Sequence, residues 1–191
     1  MKKYFFIMFV LFASEGFSQD MNKFFAKADA FFKTNVSNGK VAYSKINDNQ
    51  ENLNSLLKLA ESVSVSKDYA NVYHAFWINA YNLSVIKGII DNYPTKSPLE
   101  NIGFINKTKY RLGGMSITLN DIEHKLLRAQ FKDARFHFVL VCGAIGCPPL
   151  INEAYLPNTL EAQLETQTKI ALNENFIKVN TKKNVLKGQK F

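Results

Sequence analysis

Apolar residues recur every three or four positions in three segments of the first half of the chain, which predicts three helices. The first two, over residues 21–34 and 51–62, each carry one apolar stripe and are therefore amphipathic. The third, over residues 69–92, is apolar nearly all round, so we expect it to be buried on most of its faces. Pro94 ends this helix, because proline lacks the backbone donor that a helix needs.

After the third predicted helix, residues 113–121 contain signals for a turn and for the start of a helix. Gly113-Gly114 separates two short runs that favour strands, which predicts a two-residue β-hairpin. Thr118 comes after the hairpin and Asp121 stands three positions later, a spacing typical of a helix N-cap. We therefore expect a helix over residues 118–131.

Strand signals mark two later segments. Residues 135–142 barely alternate between apolar and polar, which predicts a central strand. Pro148 and Pro149 prevent regular structure from continuing beyond it. A helix is predicted from about residue 157 to residue 173, and a closing hairpin turns around residues 181–183.

These elements predict a helix-rich single α+β domain around a small, partly antiparallel sheet. A papain-like or transglutaminase-like arrangement is one form that this fold class could take. Residues 35–50 are polar and loop-like, although residues 41–46 favour a short strand. The 191 residues suffice for one domain with a substantial core but not for two comfortable ones. A hydrophobic content of 47% excludes a wholly disordered chain.

The first 18 residues have the features of a secretory signal peptide. Lys2 and Lys3 precede an apolar stretch that is too short to span a bilayer. Gly16-Phe17-Ser18 then offers the small-x-small pattern of a cleavage site. We expect cleavage after Ser18, which leaves one domain over residues 19–191, exported to the periplasm or out of the cell. An uncleaved membrane anchor is the alternative, because anchors share this composition.

The formal net charge of +8 bears on the partners. A basic chain is attracted to anionic cell-envelope polymers or lipid headgroups, although a merely solvated basic surface has the same composition. Nucleic acid is not expected, because no RNA-binding signature and no zinc-finger spacing occurs. After signal cleavage no transmembrane span is expected, since polar residues interrupt the third helix.

The two cysteines of the chain, Cys142 and Cys147, are compatible with three kinds of site. Cys142 could act as a thiolate nucleophile at the end of the predicted strand, with a nearby imidazole as the base. The pair could instead form a disulfide, which an oxidising compartment favours. A metal site would add His124 and His137, but the spacing H-x4-C-x4-C matches no common zinc pattern. We expect no metal and no other cofactor.

His124 is the better candidate for the base. Asp121 or Glu123 on the same helix could orient its ring, although an exposed His124 that pairs with Arg128 or Asp121 would need no function. His137 alternates with phenylalanines, so it points away from Cys142 if the strand is regular.

Asn79 and Asn82 lie on the helix that favours burial. Buried amides require hydrogen-bond partners, so each could bond the backbone of a neighbouring loop. Alternatively, one of them could orient a catalytic histidine or donate to an oxyanion.

Three sequence blocks occur in order: FWINAYNLSVIKGIIDNYP, GGMSITLNDIEHKLLR and RFHFVLVCGAIGCPPL. They resemble the signature blocks of the family called domain of unknown function five-four-seven, over about residues 70–187. The resemblance implies kinship with exported bacterial proteins and with plant proteins that carry a leucine-zipper region, but it implies no reaction. The signature positions correspond to Trp77, Asn79, Tyr81, Asn82, Glu123, His124, Arg128, His137, Cys142, Cys147 and Pro148.

Two functional hypotheses follow. The first is a thiol-dependent (Cys–His) hydrolase or acyl transferase that acts on a peptide, amide or ester bond, with backbone N–H groups near Gly143 and Gly146 around the oxyanion. Its predicted catalytic residues are the nucleophile Cys142, the base His124, the orienting Glu123, and Asn79, Asn82 and Arg128. The second is a non-catalytic envelope-binding or scaffolding domain that a Cys142–Cys147 disulfide staples.

Overall fold

Helices make up most of the fold, and the strands occur only as short pairs among the described residues. The computed structural model describes the backbone of residues 2–95, 103–143, 147–173, 177–180 and 185–188, and the side chains from residue 19 to residue 173 within these ranges. The α-helices are α1 (Lys2–Asn35), α2 (Tyr43–Asp48), α3 (Glu51–Ser62), α4 (Ala70–Ile90), α5 (Leu119–Asp121), α6 (Ala129–Phe131) and α7 (Leu160–Asn173). The strands are β1 (Val36–Ser37), β2 (Lys40–Val41), β3 (Lys109–Leu112), β4 (Met115–Thr118), β5 (Ile177–Asn180) and β6 (Val185–Gly188).

The strands form three separate antiparallel pairs, β1–β2, β3–β4 and β5–β6. This arrangement confirms the predicted helix-rich α+β class. The β5–β6 pair confirms the predicted closing hairpin, although its expected turn at 181–183 lies outside the described residues.

Helix α4 forms the centre of the core. Every residue from Ala75 to Ile86 is buried, which confirms the prediction made from its apolar residues on all faces. Helices α2 and α3 pack against α4, and α1 packs against α3. The rings of Phe24 on α1 and Phe76 on α4 lie with their centroids 5.0 Å apart, so α1 also reaches the core.

Helix α1 contains the helix predicted over residues 21–34 and begins much earlier, at Lys2. The signal peptide and the domain limits 19–191 stay predictions. Among the residues described, no helix combines the length and the apolar character that crossing a bilayer requires.

The predicted hairpin at Gly113-Gly114 is confirmed. Both glycines have positive φ (57° and 74°), a backbone conformation that residues other than glycine rarely adopt. Their N–H groups donate to the carbonyl oxygens of Ala60 (2.8 Å) and Glu61 (2.9 Å), which ties the turn to the end of α3. The predicted cap is also confirmed, because the Thr118 hydroxyl oxygen accepts a hydrogen bond from the Asp121 N–H at 3.1 Å.

The segment after Thr118 is helical as predicted, but its geometry changes at Ile122. A π-helix, Ile122–Arg128, joins α5 to α6. Residues five positions apart lie on one face of a π-helix, whereas three or four positions separate them in an α-helix. Ile122 and Leu127, which lie five positions apart, are therefore both buried, whereas Leu126 is only half-buried.

The central strand predicted over residues 135–142 is wrong. A 3₁₀ helix, Ala134–Phe138, occupies its first half, and residues 139–143 form neither helix nor strand. Asp133 starts the 3₁₀ helix, because its carboxylate accepts from the Arg135 N–H at 2.9 Å and pairs with the Arg135 guanidinium. The short strand predicted over residues 41–46 is also wrong beyond Val41, since α2 begins at Tyr43.

Candidate functional site

Asn79 on α4 holds a loop that precedes α7. Its Nδ2 donates to the carbonyl oxygens of Ala75 and Tyr155, both at 2.8 Å, and its Oδ1 accepts from the Tyr155 N–H at 3.0 Å. Both amide hydrogens are therefore used, and the side chain is fully buried. This geometry matches the interpretation in which the amide bonds a neighbouring loop.

Asn82, one turn further along α4, holds a second loop in the same way. Its Nδ2 donates to the Val139 carbonyl at 2.9 Å, and its Oδ1 accepts from the Val141 N–H at 3.0 Å. This pair of bonds resembles those that a neighbouring strand would make, so the Val139 carbonyl and the Val141 N–H are satisfied although no described strand lies beside them. The buried amide thus fixes the backbone immediately before Cys142.

A disulfide follows this fixed backbone. Cys142 and Cys147 are bonded to each other with their Cα atoms 6.2 Å apart, within the range that disulfides require. Both residues are partly exposed, and the chain contains no free cysteine. Gly143 has a positive φ of 77°, which turns the chain directly after Cys142, and Gly146 lies outside the described residues.

The π-helix determines the partners of the predicted acid–base residues. Arg128 and Glu123 lie five positions apart, and the Arg128 Nη1 is 3.1 Å from the Glu123 Oε1. His124 is exposed, and its imidazole makes neither a hydrogen bond nor an ion pair within the described part of the chain. The Glu123 carboxylate therefore pairs with Arg128 rather than orienting His124.

Glu123 also faces the core helix. Burial raises the pKa of the Tyr81 hydroxyl on α4, and the negative charge of Glu123 raises it further. Tyr81 therefore stays protonated at neutral pH beside the Glu123–Arg128 pair.

The disulfide borders a cavity of about 450 Å³. One wall is α4, with Asn82, Val85 and Ile86, and the opposite wall is the segment from Cys147 to Leu150. The other described lining residues belong to the hairpin β1–β2, to the start of α2 and to the segment before the disulfide loop, at Val141 and Gly143. Its size and its largely apolar walls are typical of small-molecule sites.

Sequence reasoning missed the residues at the mouth of this cavity. Lys40 and Tyr43 belong to residues 35–50, for which a loop with a short strand over residues 41–46 was predicted. The available signal was Asn38-Gly39, a pair that favours type I′ hairpin turns because both residues tolerate positive φ (48° and 73° here). The turn packs tightly on the diproline, since a Cβ built at Gly39 would lie 2.6 Å from the Pro149 Cβ.

The predicted catalytic residues fall into two groups. Asn79 and Asn82 hold the loops beside α4, and Cys142 follows the second loop directly. Glu123, His124 and Arg128 all lie on the π-helix. Within the described residues, no cluster of three or more histidine, cysteine or acidic side chains could hold a metal ion. The catalytic roles of these residues stay predictions.

Residues 68–170, more than half of the chain, match the model of a family described as "Protein of unknown function, DUF547". This range contains Asn79 and Asn82 of α4, the π-helix and the disulfide. No curated protein and no solved structure shows detectable similarity to the chain. The chain therefore belongs to the DUF547 family of proteins of unknown function.

Proposed function

We propose that this chain is a non-catalytic binding domain of the cell envelope, stapled by the Cys142–Cys147 disulfide and directed to anionic polymers. The observation that carries the proposal is the bond between the two sulfurs. A cysteine nucleophile must be a free thiolate, and neither sulfur is free. A disulfide also agrees with export, since disulfides persist in oxidising compartments.

The surroundings of the other predicted catalytic residues support the same conclusion. A general base needs a partner that fixes its ring, but the Glu123 carboxylate is engaged by Arg128 and His124 is exposed. Both amide hydrogens of Asn79 are used by backbone carbonyls, so this side chain has no donor left for an oxyanion.

The distribution of charge indicates the class of partner. Many exposed lysines form no ion pair within the described residues, which leaves their charge available to a polyanion. These lysines are Lys23, Lys27, Lys40, Lys45, Lys58, Lys67, Lys107, Lys109 and Lys132. The last hairpin adds further basic residues, because its register pairs Lys178 with Lys187.

Binding of the oxidised full chain to dextran sulfate, with unsubstituted dextran as the neutral probe, tests the proposal. We expect binding to dextran sulfate that weakens steeply as NaCl increases, because exposed charges are screened by salt. The double variant Lys178→Gln/Lys187→Gln should lose more affinity than Lys125→Gln/Lys169→Gln, which removes the same net charge from lysines already paired with Asp121 and Glu165. Equal binding to both dextrans, or equal losses in the two variants, would contradict a directed interaction with polyanions.

A second candidate is the thiol-dependent hydrolase, which one observation favours. Cys147 lines the cavity, so reduction of the disulfide would place a thiol beside a space large enough for a substrate. This candidate requires that the reduced chain contain an unusually reactive sulfur.

A further inference from the structure

We propose that the cavity beside the disulfide binds a small amphipathic anion, a monocarboxylic acid with an apolar chain of medium length. This inference goes beyond the binding of polymers at the surface and does not depend on it. It rests on the shape, the polarity and the charge of one cavity.

The apolar walls of the cavity indicate that the ligand has an apolar chain. Val85 and Ile86 form one side on α4, and Pro148, Pro149 and Leu150 form the other. A volume of about 450 Å³ lies within the range of small-molecule pockets. Transfer of an apolar chain from water to these walls is favourable in proportion to the area it buries.

The polar side chains of the lining offer hydrogen-bond donors, which indicates that the polar end of the ligand is a hydrogen-bond acceptor. The Asn82 Oδ1 is used by the Val141 N–H, and Nδ2 gives one hydrogen to Val139. An amide nitrogen carries two hydrogens, and the described residues accept only one of them from Asn82. The second hydrogen is available to an acceptor in the cavity.

Tyr43 and Lys40 add two further donors. Burial raises the pKa of the Tyr43 hydroxyl to about 12, so it is protonated and can donate at neutral pH. Lys40 is exposed at the mouth and forms no ion pair within the described residues. An ammonium group, a phenol hydroxyl and an amide N–H together match the oxygens of a carboxylate.

The charge of the lining distinguishes this ligand from others. Among the described residues no aspartate or glutamate lines the cavity, so a cationic ligand would find no counter-charge. Within that same described part of the chain Lys40 is the one cation of the lining, which favours a single negative charge over a multiply charged phosphate. A neutral alcohol could enter the apolar part but would gain nothing from Lys40.

The test is calorimetric titration of the oxidised full chain with octanoate, octanol and octylammonium, which share one chain length and differ in charge. Octanoate is kept below its micelle concentration, and we expect one bound molecule per chain. Octanol should bind about tenfold more weakly, because charge-assisted hydrogen bonds are roughly twice as strong as neutral ones. Octylammonium should not bind measurably.

Variants identify the cavity as the site. Lys40→Met keeps an apolar stem but removes the charge, so it should weaken octanoate about fivefold to tenfold while octanol is unaffected. Lys67→Met, an exposed lysine outside the cavity, is the matched control and should bind octanoate as the parent does. Tyr43→Phe should weaken octanoate by a smaller factor. Unfolding temperatures measured alongside confirm that each variant is folded.

Three results would overturn the inference: no octanoate binding to the folded parent chain, equal affinities for octanoate and octanol, or equal losses in Lys40→Met and Lys67→Met. None of these results depends on dextran sulfate, whose test relies on Lys178 and Lys187. Failure of one proposal is therefore distinguishable from failure of the other.

Discussion

The side-chain amide of Asn82 takes the place of a neighbouring β-strand for Val141. Its Oδ1 accepts a hydrogen bond from the Val141 N–H at 3.0 Å, while its Nδ2 donates to the Val139 carbonyl at 2.9 Å. The disulfide begins at the next residue, Cys142. One buried amide on the central helix thus positions the backbone that leads into the disulfide and, through Val141, part of the cavity lining.

Replacing Asn82 should be costly for this reason. Asn82→Ala leaves the Val139 carbonyl and the Val141 N–H without partners, and each unsatisfied buried group costs about 1–3 kcal/mol. We expect the free energy of unfolding to fall by about 2–4 kcal/mol, measured by urea denaturation. Asn71→Ala is the matched control, because Asn71 is exposed and its bond to Pro157 is long at 3.3 Å. Similar losses in the two variants would show that the Asn82 clamp contributes little.

The disulfide should be complete in the oxidised protein and modestly stabilising. Unfolding without reductant should expose no thiol to a titrating reagent, because Cys142 and Cys147 are bonded to each other. The loop that they close is short, so Cys142→Ala/Cys147→Ala should lower the free energy of unfolding by only about 2 kcal/mol. Two titratable thiols in protein prepared without reductant would contradict this expectation.

The thiol reactivity of the reduced chain tests the thiol-dependent hydrolase as the second candidate function. We expect both sulfurs of the reduced chain to react with iodoacetamide slowly at neutral pH, as unactivated thiols do, since no side chain among the described residues orients His124. The single variants Cys142→Ala and Cys147→Ala assign the rates to one sulfur each. A Cys142 that reacts rapidly at neutral pH, and that slows in His124→Gln, would instead favour the thiol-dependent enzyme.

Local patterns were sufficient to predict several elements of the fold. In α3, Leu53, Leu56 and Ala60 recur at helical spacing, and all three are buried. The Gly113-Gly114 turn was predictable because positive φ at two consecutive residues strongly favours glycine. The Thr118 cap was predictable because a cap is made within one helical turn.

The error at residues 135–142 arose from a long-range interaction. The run is apolar whether it forms a strand or lies irregular in the core, so periodicity does not distinguish these states. Asn82 bonds Val139 and Val141 from 57 and 59 positions away, which no local pattern encodes. The cavity was unpredictable for the same reason, since it needs the β1–β2 turn to meet Pro149.

Replacing Gly88 on α4 with alanine should lower the stability of the fold. A Cβ there would lie 2.1 Å from the Phe104 Cε2 and 2.5 Å from the Tyr110 hydroxyl oxygen. Alanine favours a helix interior by about 0.5–1 kcal/mol over glycine, but overpacking costs about 1–3 kcal/mol, so Gly88→Ala should destabilise. In a Phe104→Leu background the same substitution should cost less, because the smaller side chain can move away. An increase in stability for Gly88→Ala alone would contradict the tight contact.

His74 on α4 should make the stability depend on pH. Its ring lies between Phe131 and Phe136, with centroids 4.0 Å and 5.0 Å away. Burial lowers its pKa below the ordinary 6.5, and Arg135 lowers it further, although Asp133 and Glu161 oppose this effect. Among the residues that the structure describes, the buried Nε2 has no hydrogen-bond partner, so a proton added there would meet no direct acceptor from them.

The sign of the effect follows from proton uptake. Below about pH 6.5 the unfolded chain binds a proton at His74 that the folded chain resists, so the free energy of unfolding should decrease as pH falls from 7 toward 5. Urea denaturation across this range measures the slope. His74→Leu should flatten the slope because it removes the group, whereas His124→Gln, at an exposed position, should leave it nearly unchanged. A slope that persists in His74→Leu would assign the pH dependence to another group.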